Sequence, residues 1–94
     1  MITAFVLIHA EPGGVARLAE ELAEVPGVAE VYSVAGDEDV VAVVRVRHHE
    51  ELAEVVTTRV QAHPGVMATR TLIAFRAYSR RDLDELWAIG MEGS

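Results

Sequence analysis

The sequence contains no cysteine and no lysine. Without cysteine there are no disulfides, no thiolate nucleophile and no soft metal ligand. Without lysine there is neither Schiff-base chemistry nor the phosphate-binding lysine of a P-loop. Bases of any kind are scarce: all 8 are arginines, set against 15 acids, for a formal net charge of -7 and a pI of about 4.9. Such a surface repels phosphate, so direct binding to duplex DNA is not expected. Long apolar runs are missing as well. The stretch 4–8, flanked by Thr3 and His9, has no basic region before it and is far shorter than the roughly 20 residues of a membrane span. These absences lead us to expect a mature, soluble, cytoplasmic protein with no cofactor, no bound metal and no membrane contact.

What is present fits one domain. The 94 residues are 51% hydrophobic, with a mean hydropathy of +0.24. That is more apolar than a small monomer needs, so part of the surface is expected to meet another subunit. No linker or low-complexity segment divides the chain, but shifting it by 38 residues lays Pro26-Gly27-Val28 on Pro64-Gly65-Val66. The same shift lays Ile2, Ala4, Val6 and Ile8 on Val40, Ala42, Val44 and Val46, and Val15, Leu18 and Leu22 on Ala53, Val56 and Val60. Two similar halves follow one another.

Periodicity assigns each half. Residues 2–9 and 39–47 are β-rich apolar runs, and 13–24 and 49–61 carry helical spacing. The first helix presents Val15, Leu18 and Leu22, and the second Leu52, Val55, Val56 and Val60, with Glu50 and Glu51 at its positive end. A Pro-Gly pair stops each helix, and strands resume over 28–35 and from 66 to about 78. The order βαββαβ predicts an α+β, ferredoxin-like sandwich: a four-stranded antiparallel sheet with both helices on one face. A sheet covered on one side should alternate apolar with polar. Strand one instead has Phe5 and Leu7 opposite its core residues, and strand four sets Ile73 and Phe75 against Leu72 and Ala74. A monomer with a slightly apolar sheet is the plain alternative; dimerisation through the sheet is the favoured reading.

The tail, residues 79–94, is expected to be a short helix separate from the domain 1–78. Ser79 can cap it, Asp82 completes a capping box, Gly90 ends it, and Leu83, Leu86 and Trp87 form a packing stripe. The histidines at 9, 48, 49 and 63 lack metal-ligand spacing and are read as element boundaries. Arg45 and Arg47, two apart on one strand face, are read as partners for the many acids rather than as an anion site.

Taken together, Gly36-Asp37-Glu38-Asp39-Val40-Val41, a helix, and then His63-Pro64-Gly65-Val66 followed by Thr69 and Thr71 resemble the Lrp/AsnC effector-binding domain over about residues 2–78. The resemblance implies an amino-acid-responsive domain. It also implies a dimer built sheet to sheet, several dimers closing into a ring, and an effector bound where dimers meet. Members usually carry a helix-turn-helix domain before the sensor. This chain begins at the sensor's first strand, so a stand-alone sensor is expected, with full-length Lrp/AsnC regulators as candidate partners in mixed assemblies. The residue chemistry supports a similar site. An amino acid needs carboxylates or carbonyls for its ammonium and N–H or hydroxyl donors for its carboxylate. Gly36, Asp37, Glu38 and Asp39 supply backbone access and charge, and Thr69 and Thr71 supply hydroxyls if they face the same cleft. The plain alternative is a hairpin turn in which Asp39 caps backbone N–H groups. No catalytic residue is assigned. A rival class, the small dimeric α+β barrel enzymes such as monooxygenases and isomerases, would need polar residues in a cleft. His9, Arg45, Arg47, Arg70, Tyr32 and Tyr78 are the candidates, and they show no nucleophile-base spacing. A purely structural interaction module is the third class.

Overall fold

A computed structural model describes residues 1–80. Strand β1 (Ile2–Ala10) is followed by helix α1 (Val15–Ala23), strands β2 (Val28–Ser33) and β3 (Val40–Val46), helix α2 (His49–Glu54) with a π-helical continuation (Val55–Gln61), and strand β4 (Val66–Ile73). The strands form one antiparallel sheet in the order β2-β3-β1-β4. This is the ferredoxin-like α+β fold expected from the βαββαβ order.

The repeat explains the centre of the sheet. Phe5 lies opposite Val43, its own counterpart thirty-eight positions on, and the β1–β3 register runs outward from there to Ile2 with Val46 and Ile8 with Val40. The two halves are thus related by a local two-fold axis through one residue pair. Their outer strands break the symmetry: Val28 pairs with Val44, whereas its counterpart Val66 pairs with Ala10 rather than Val6, four residues along. On the helix side, Ala4, Val6, Ile8, Val40, Ala42 and Val44 meet Leu18 and Leu22 of α1 and Leu52, Val55, Val56 and Val60 of the second helix. Side chains two apart on a strand share a face, so this single parity builds the core.

Several boundaries differ from the sequence-based expectation, including β2, which ends at Ser33 rather than at 35, and β3, which spans Val40–Val46 rather than 39–47. Helix α1 is shorter at both ends, because Pro12-Gly13-Gly14 turns before it, with Gly13 at φ +80, and Glu24 ends it. The expected single helix over 49–61 changes from α to π at Val55, where i→i+5 bonding sets residues five apart above one another, as with buried Val55 and Val60. Strand β4 stops at Ile73 rather than near Tyr78, since β1, its neighbour there, runs out: Ala4 with Ile73 is the last pair, and Ala74 N–H donates to Thr3 O at 2.9 Å. Phe75 is therefore outside the sheet and fully exposed, Ile73 lies on the helix side with Ala4, and Leu72 lies on the open side with Phe5. The expected tail helix with Asp82, Leu83, Leu86, Trp87 and Gly90 lies outside the described residues.

Each Pro-Gly turn docks on the helix of the other half. At the first, Gly27 has φ +96, and a Cβ there would stand 2.7 Å from Val55 Cγ2. At the second, His63 Nδ1 accepts the Gly65 N–H at 2.9 Å, which leaves Nε2 to donate to Glu21 Oε2 of α1 at 2.6 Å. Glu21 also accepts from Arg17 Nε at 3.1 Å. The hydrogen bond from His63, then that from Arg17, holds the Glu21 carboxyl below the usual carboxylate range.

Both the glycines and the ionic contact of these turns can be tested. Gly13→Ala, where nothing lies within 4 Å of the new Cβ, costs about 1–2 kcal/mol for its left-handed backbone alone. Gly27→Ala incurs that cost plus roughly 1–3 kcal/mol of overlap with Val55. Equal urea midpoints for the two variants would refute the close-packing role of Gly27. Because its folded pKa is depressed, Glu21 stabilises the fold above the roughly 4.3 of an unfolded glutamate and loses that contribution as pH falls through the lower folded value. Melting curves of the native protein and Glu21→Gln should therefore differ at neutral pH and converge in acid; a gap that widens in acid contradicts the pairing.

Candidate functional site

The connection between β2 and β3 sits where β1 ends and β4 begins, and it is laced to that end of the sheet. Val34 N–H donates to Asp39 O and Asp39 N–H donates to Ile8 O, both at 2.9 Å. The Asp39 carboxylate reaches further: its Oδ2 accepts the Ala10 N–H at 2.9 Å, beside the irregularity in the β1–β4 register at His9 and Ala10. An aspartate is suited to this because a short carboxylate can take a strand-end N–H that no neighbouring strand receives. Gly36, at φ +148, and Asp37 face solvent, with nothing within 4 Å of a Cβ built at Gly36. Glu38 is half-buried and accepts from Arg70 Nη2 at 2.7 Å. Arg70 lies beside Leu7 on β1, so this pair spans the sheet from the loop to β4.

The six expected ligand residues are thereby divided. Gly36, Asp37, Glu38 and Asp39 form one loop, fixed at Glu38 and Asp39 and open at Gly36 and Asp37. Thr69 and Thr71 pair with Ile8 and Val6 and so lie on the helix side of the sheet. Thr69 Oγ1 accepts from Gln61 Nε2 at 3.1 Å, and Thr71 opens into a cavity of about 280 Å3 with Leu52, Val56 and Ile73. Strand alternation decides this: between the two threonines, Arg70 points the other way, toward the loop's Glu38. Arg70 is the loop contact that the motif did not single out, and its position one residue from each threonine was the available signal.

The open face of the sheet carries Phe5, Leu7, Val41, Val43 and Leu72, with Phe5 38% and Leu72 51% exposed. A polar cluster lies on its β2 side. Glu30 accepts from Tyr32 Oη and from Arg45 Nη1, the latter at 3.1 Å. Tyr32 first and Arg45 second lower the Glu30 pKa, and the same hydrogen bond to Glu30 raises that of Tyr32. Arg45 thus pairs with an acid, as its surroundings suggested, and the residues an α+β barrel enzyme would use include Tyr32, Arg45 and Arg70, each bound to a glutamate. Among the described residues no three His, Asp or Glu side chains gather as a metal set, and no helix is long and apolar enough to cross a membrane.

Removing the Asp39 carboxylate isolates its clamp role. Asp39→Ala leaves the part-buried Ala10 N–H without its acceptor and should lower stability by about 1–3 kcal/mol, whereas Asp39→Asn keeps an oxygen there and should lose less. Denaturant midpoints that are the same for both variants would exclude the clamp.

Comparison with known proteins places this architecture. The family model described as the Lrp/AsnC ligand binding domain matches residues 3–84. An uncharacterised helix-turn-helix-type transcriptional regulator of Pyrococcus furiosus is 40% identical over 76 residues, covering 78% of this chain and 51% of the relative. The chain spans about half the length of the curated relatives it matches. A protein of Thermus thermophilus of known crystal structure is 55% identical, with a TM-score of 0.79 over 85% of this chain and 100% of that one. A feast or famine regulatory protein of M. tuberculosis, solved in complex with L-methionine, is 31% identical, with a TM-score of 0.70 over 86% of this chain and 55% of that one. With the sheet order, the paired helices and the sequence match in agreement, the chain belongs to the Lrp/AsnC ligand-binding domain family.

Proposed function

We propose that this domain is a sensor, not a catalyst: it binds a small amino acid through the 36–39 loop at a junction between dimers and acts on transcription through assembly with Lrp/AsnC regulators. The observation that carries the reading is the state of the loop. Asp39 and Glu38 are anchored to β1 and β4, while Gly36 and Asp37 are left facing solvent. A rigid base with an open carboxylate and an accessible backbone is what an ammonium and a carboxylate require. The 31% identical regulator solved with L-methionine supports the ligand class. Thr69 and Thr71 lie on the other side of the sheet from Arg70, so in this reading they serve the effector from a neighbouring subunit. The apolar open face supports the dimer: Phe5, Leu7, Val41 and Leu72 form a surface that association would cover. A chain without surplus base, at net charge -7, would influence DNA through partners that carry a helix-turn-helix.

The test is a melting screen of the twenty amino acids combined with sedimentation. An effector at about 100 times its Kd should stabilise the native state by roughly 2.7 kcal/mol. Asp37→Asn should weaken that effector by about tenfold or more while leaving ligand-free melting unchanged, as expected for one charge-assisted hydrogen bond at an exposed position. A monomer at micromolar concentration, or a full response in Asp37→Asn, would refute the intersubunit loop site.

A further inference from the structure

The end of β1 is held from two sides. The Ala10 N–H donates to Asp39 Oδ2 of the 36–39 loop at 2.9 Å, and the next amide, that of Glu11, donates to Gly65 O of the second Pro-Gly turn at 3.1 Å. Consecutive amides of an extended chain point to opposite neighbours, so the loop and the turn grip one short piece of backbone between them. The first Pro-Gly turn makes an equivalent strand contact, with Arg45 N–H donating to Gly27 O at 2.9 Å. Its residue before proline is Val25, which offers the turn no acceptor. In the second turn that place belongs to His63, whose Nδ1 accepts the Gly65 N–H at 2.9 Å.

The two ring nitrogens of His63 place different demands on a proton. Nδ1 must be bare to accept from Gly65, and Nε2 must carry hydrogen to donate to Glu21 Oε2 at 2.6 Å, so the geometry holds the neutral ring in one tautomer. A second proton can enter only at Nδ1, where it faces the Gly65 N–H and turns an acceptor into a donor. The Nε2 side keeps its partner: the Glu21 carboxyl, held low by His63 and then by Arg17, stays ionised over the range in which histidines titrate. His63 lines a cavity of about 490 Å3 together with the charged side chains of Glu11, Arg17 and Glu21. Its own side chain is 18% exposed, so water reaches the ring.

We propose that His63 is a proton-operated latch on the 36–39 loop: protonation at Nδ1 frees the Gly65 turn, the grip of Gly65 O on Glu11 slackens, and the adjoining clamp of Asp39 on Ala10 loosens with it. The link is three hydrogen bonds on adjoining backbone units, His63 with Gly65, Gly65 with Glu11, and Ala10 with Asp39. It therefore needs no contact between the ring and the loop. Neutral His63 keeps the base of the loop rigid, and acid releases it. That the latch would tune effector affinity rests on the loop reading above; the latch itself is a property of the ligand-free chain.

An NMR titration of the isotopically labelled full chain from about pH 8 to about pH 5 reads each step. The neutral His63 ring should carry its proton on Nε2, and the Gly65, Glu11, Ala10 and Asp39 amides should move with the midpoint of the ring. Exchange protection of the Gly65 amide should fall about tenfold across that midpoint, after correction for the intrinsic pH dependence of exchange, as expected for one lost hydrogen bond. His63→Asn separates a latch from a structural histidine. Its Oδ1 can accept the Gly65 N–H two residues on, as in an Asx-turn, and takes up no proton, so the turn should persist while the response of the four amides disappears. A neutral ring protonated on Nδ1, a Gly65 amide that does not follow the ring, or an equal response in His63→Asn overturns the proposal. A response that ends at Glu11 without reaching Ala10 and Asp39 overturns the link to the loop. None of these readings uses an effector, so the latch and the amino-acid site fail separately.

Discussion

The antiparallel pairing of β1 with β3 about Phe5 and Val43 is the contact on which the other elements depend. It brings the two copies of the repeat together with their apolar rows in register, Ala4, Val6 and Ile8 beside Val44, Ala42 and Val40. That parity is sealed by the helices, and the buried set is aliphatic, with no buried polar side chain among the described residues. Burial at about 25 cal/mol per Å2 of apolar surface is the main force stabilising a core of this kind. A one-residue slip in this pair would turn Phe5 and Leu7 inward and the core valines outward, so the pleat and the helix layer fix the register together. The opposite parity remains apolar without a helix over it, which supports the proposed association between sheets.

The same pairing locates the loop. Ile8 lies opposite Val40, so the chain entering β3 arrives beside the last residues of β1, and Asp39 meets Ala10. The four-residue displacement of β4 relative to its repeat counterpart brings Thr69 to the Ile8 row and Arg70 within reach of Glu38. Broken symmetry thus gives the loop an anchor on β4. In the other half, the shorter β2 carries Glu30, which accepts from both Tyr32 and Arg45.

The Pro-Gly turns show how one motif can have two local outcomes. Both stop a helix and start a strand. At Pro64-Gly65 the preceding His63 folds back on the turn and reaches α1, which closes an ionic network. At Pro26-Gly27 the preceding residue is Val25, packed against the core, and the facing helix has become π-helical. No ionic network closes there among the described residues, and the contrast begins with one side chain, His63 at the second turn and Val25 at the first.

The sequence by itself determined the class of fold, the two-fold organisation and the core. The shared Pro-Gly-Val, the two apolar β-runs and the helical spacing of Leu18, Leu22, Leu52, Val56 and Val60 are local signals, written in periods of 2 and 3.6. The loop 36–39 was legible for the same reason, since Gly and Asp mark a turn between two strands. What the loop's residues touch was not legible. Asp39 with Ala10, Glu38 with Arg70 and Glu21 with His63 join positions 29, 32 and 42 apart, and no pattern within a segment encodes such a pair. Only the tertiary structure separated Thr69 and Thr71 from Arg70, ended β4 where β1 ends, and converted the second helix to π beside Gly27. Each of these depends on which strand lies alongside and how closely two backbones approach, and those distances exist only once the chain has folded.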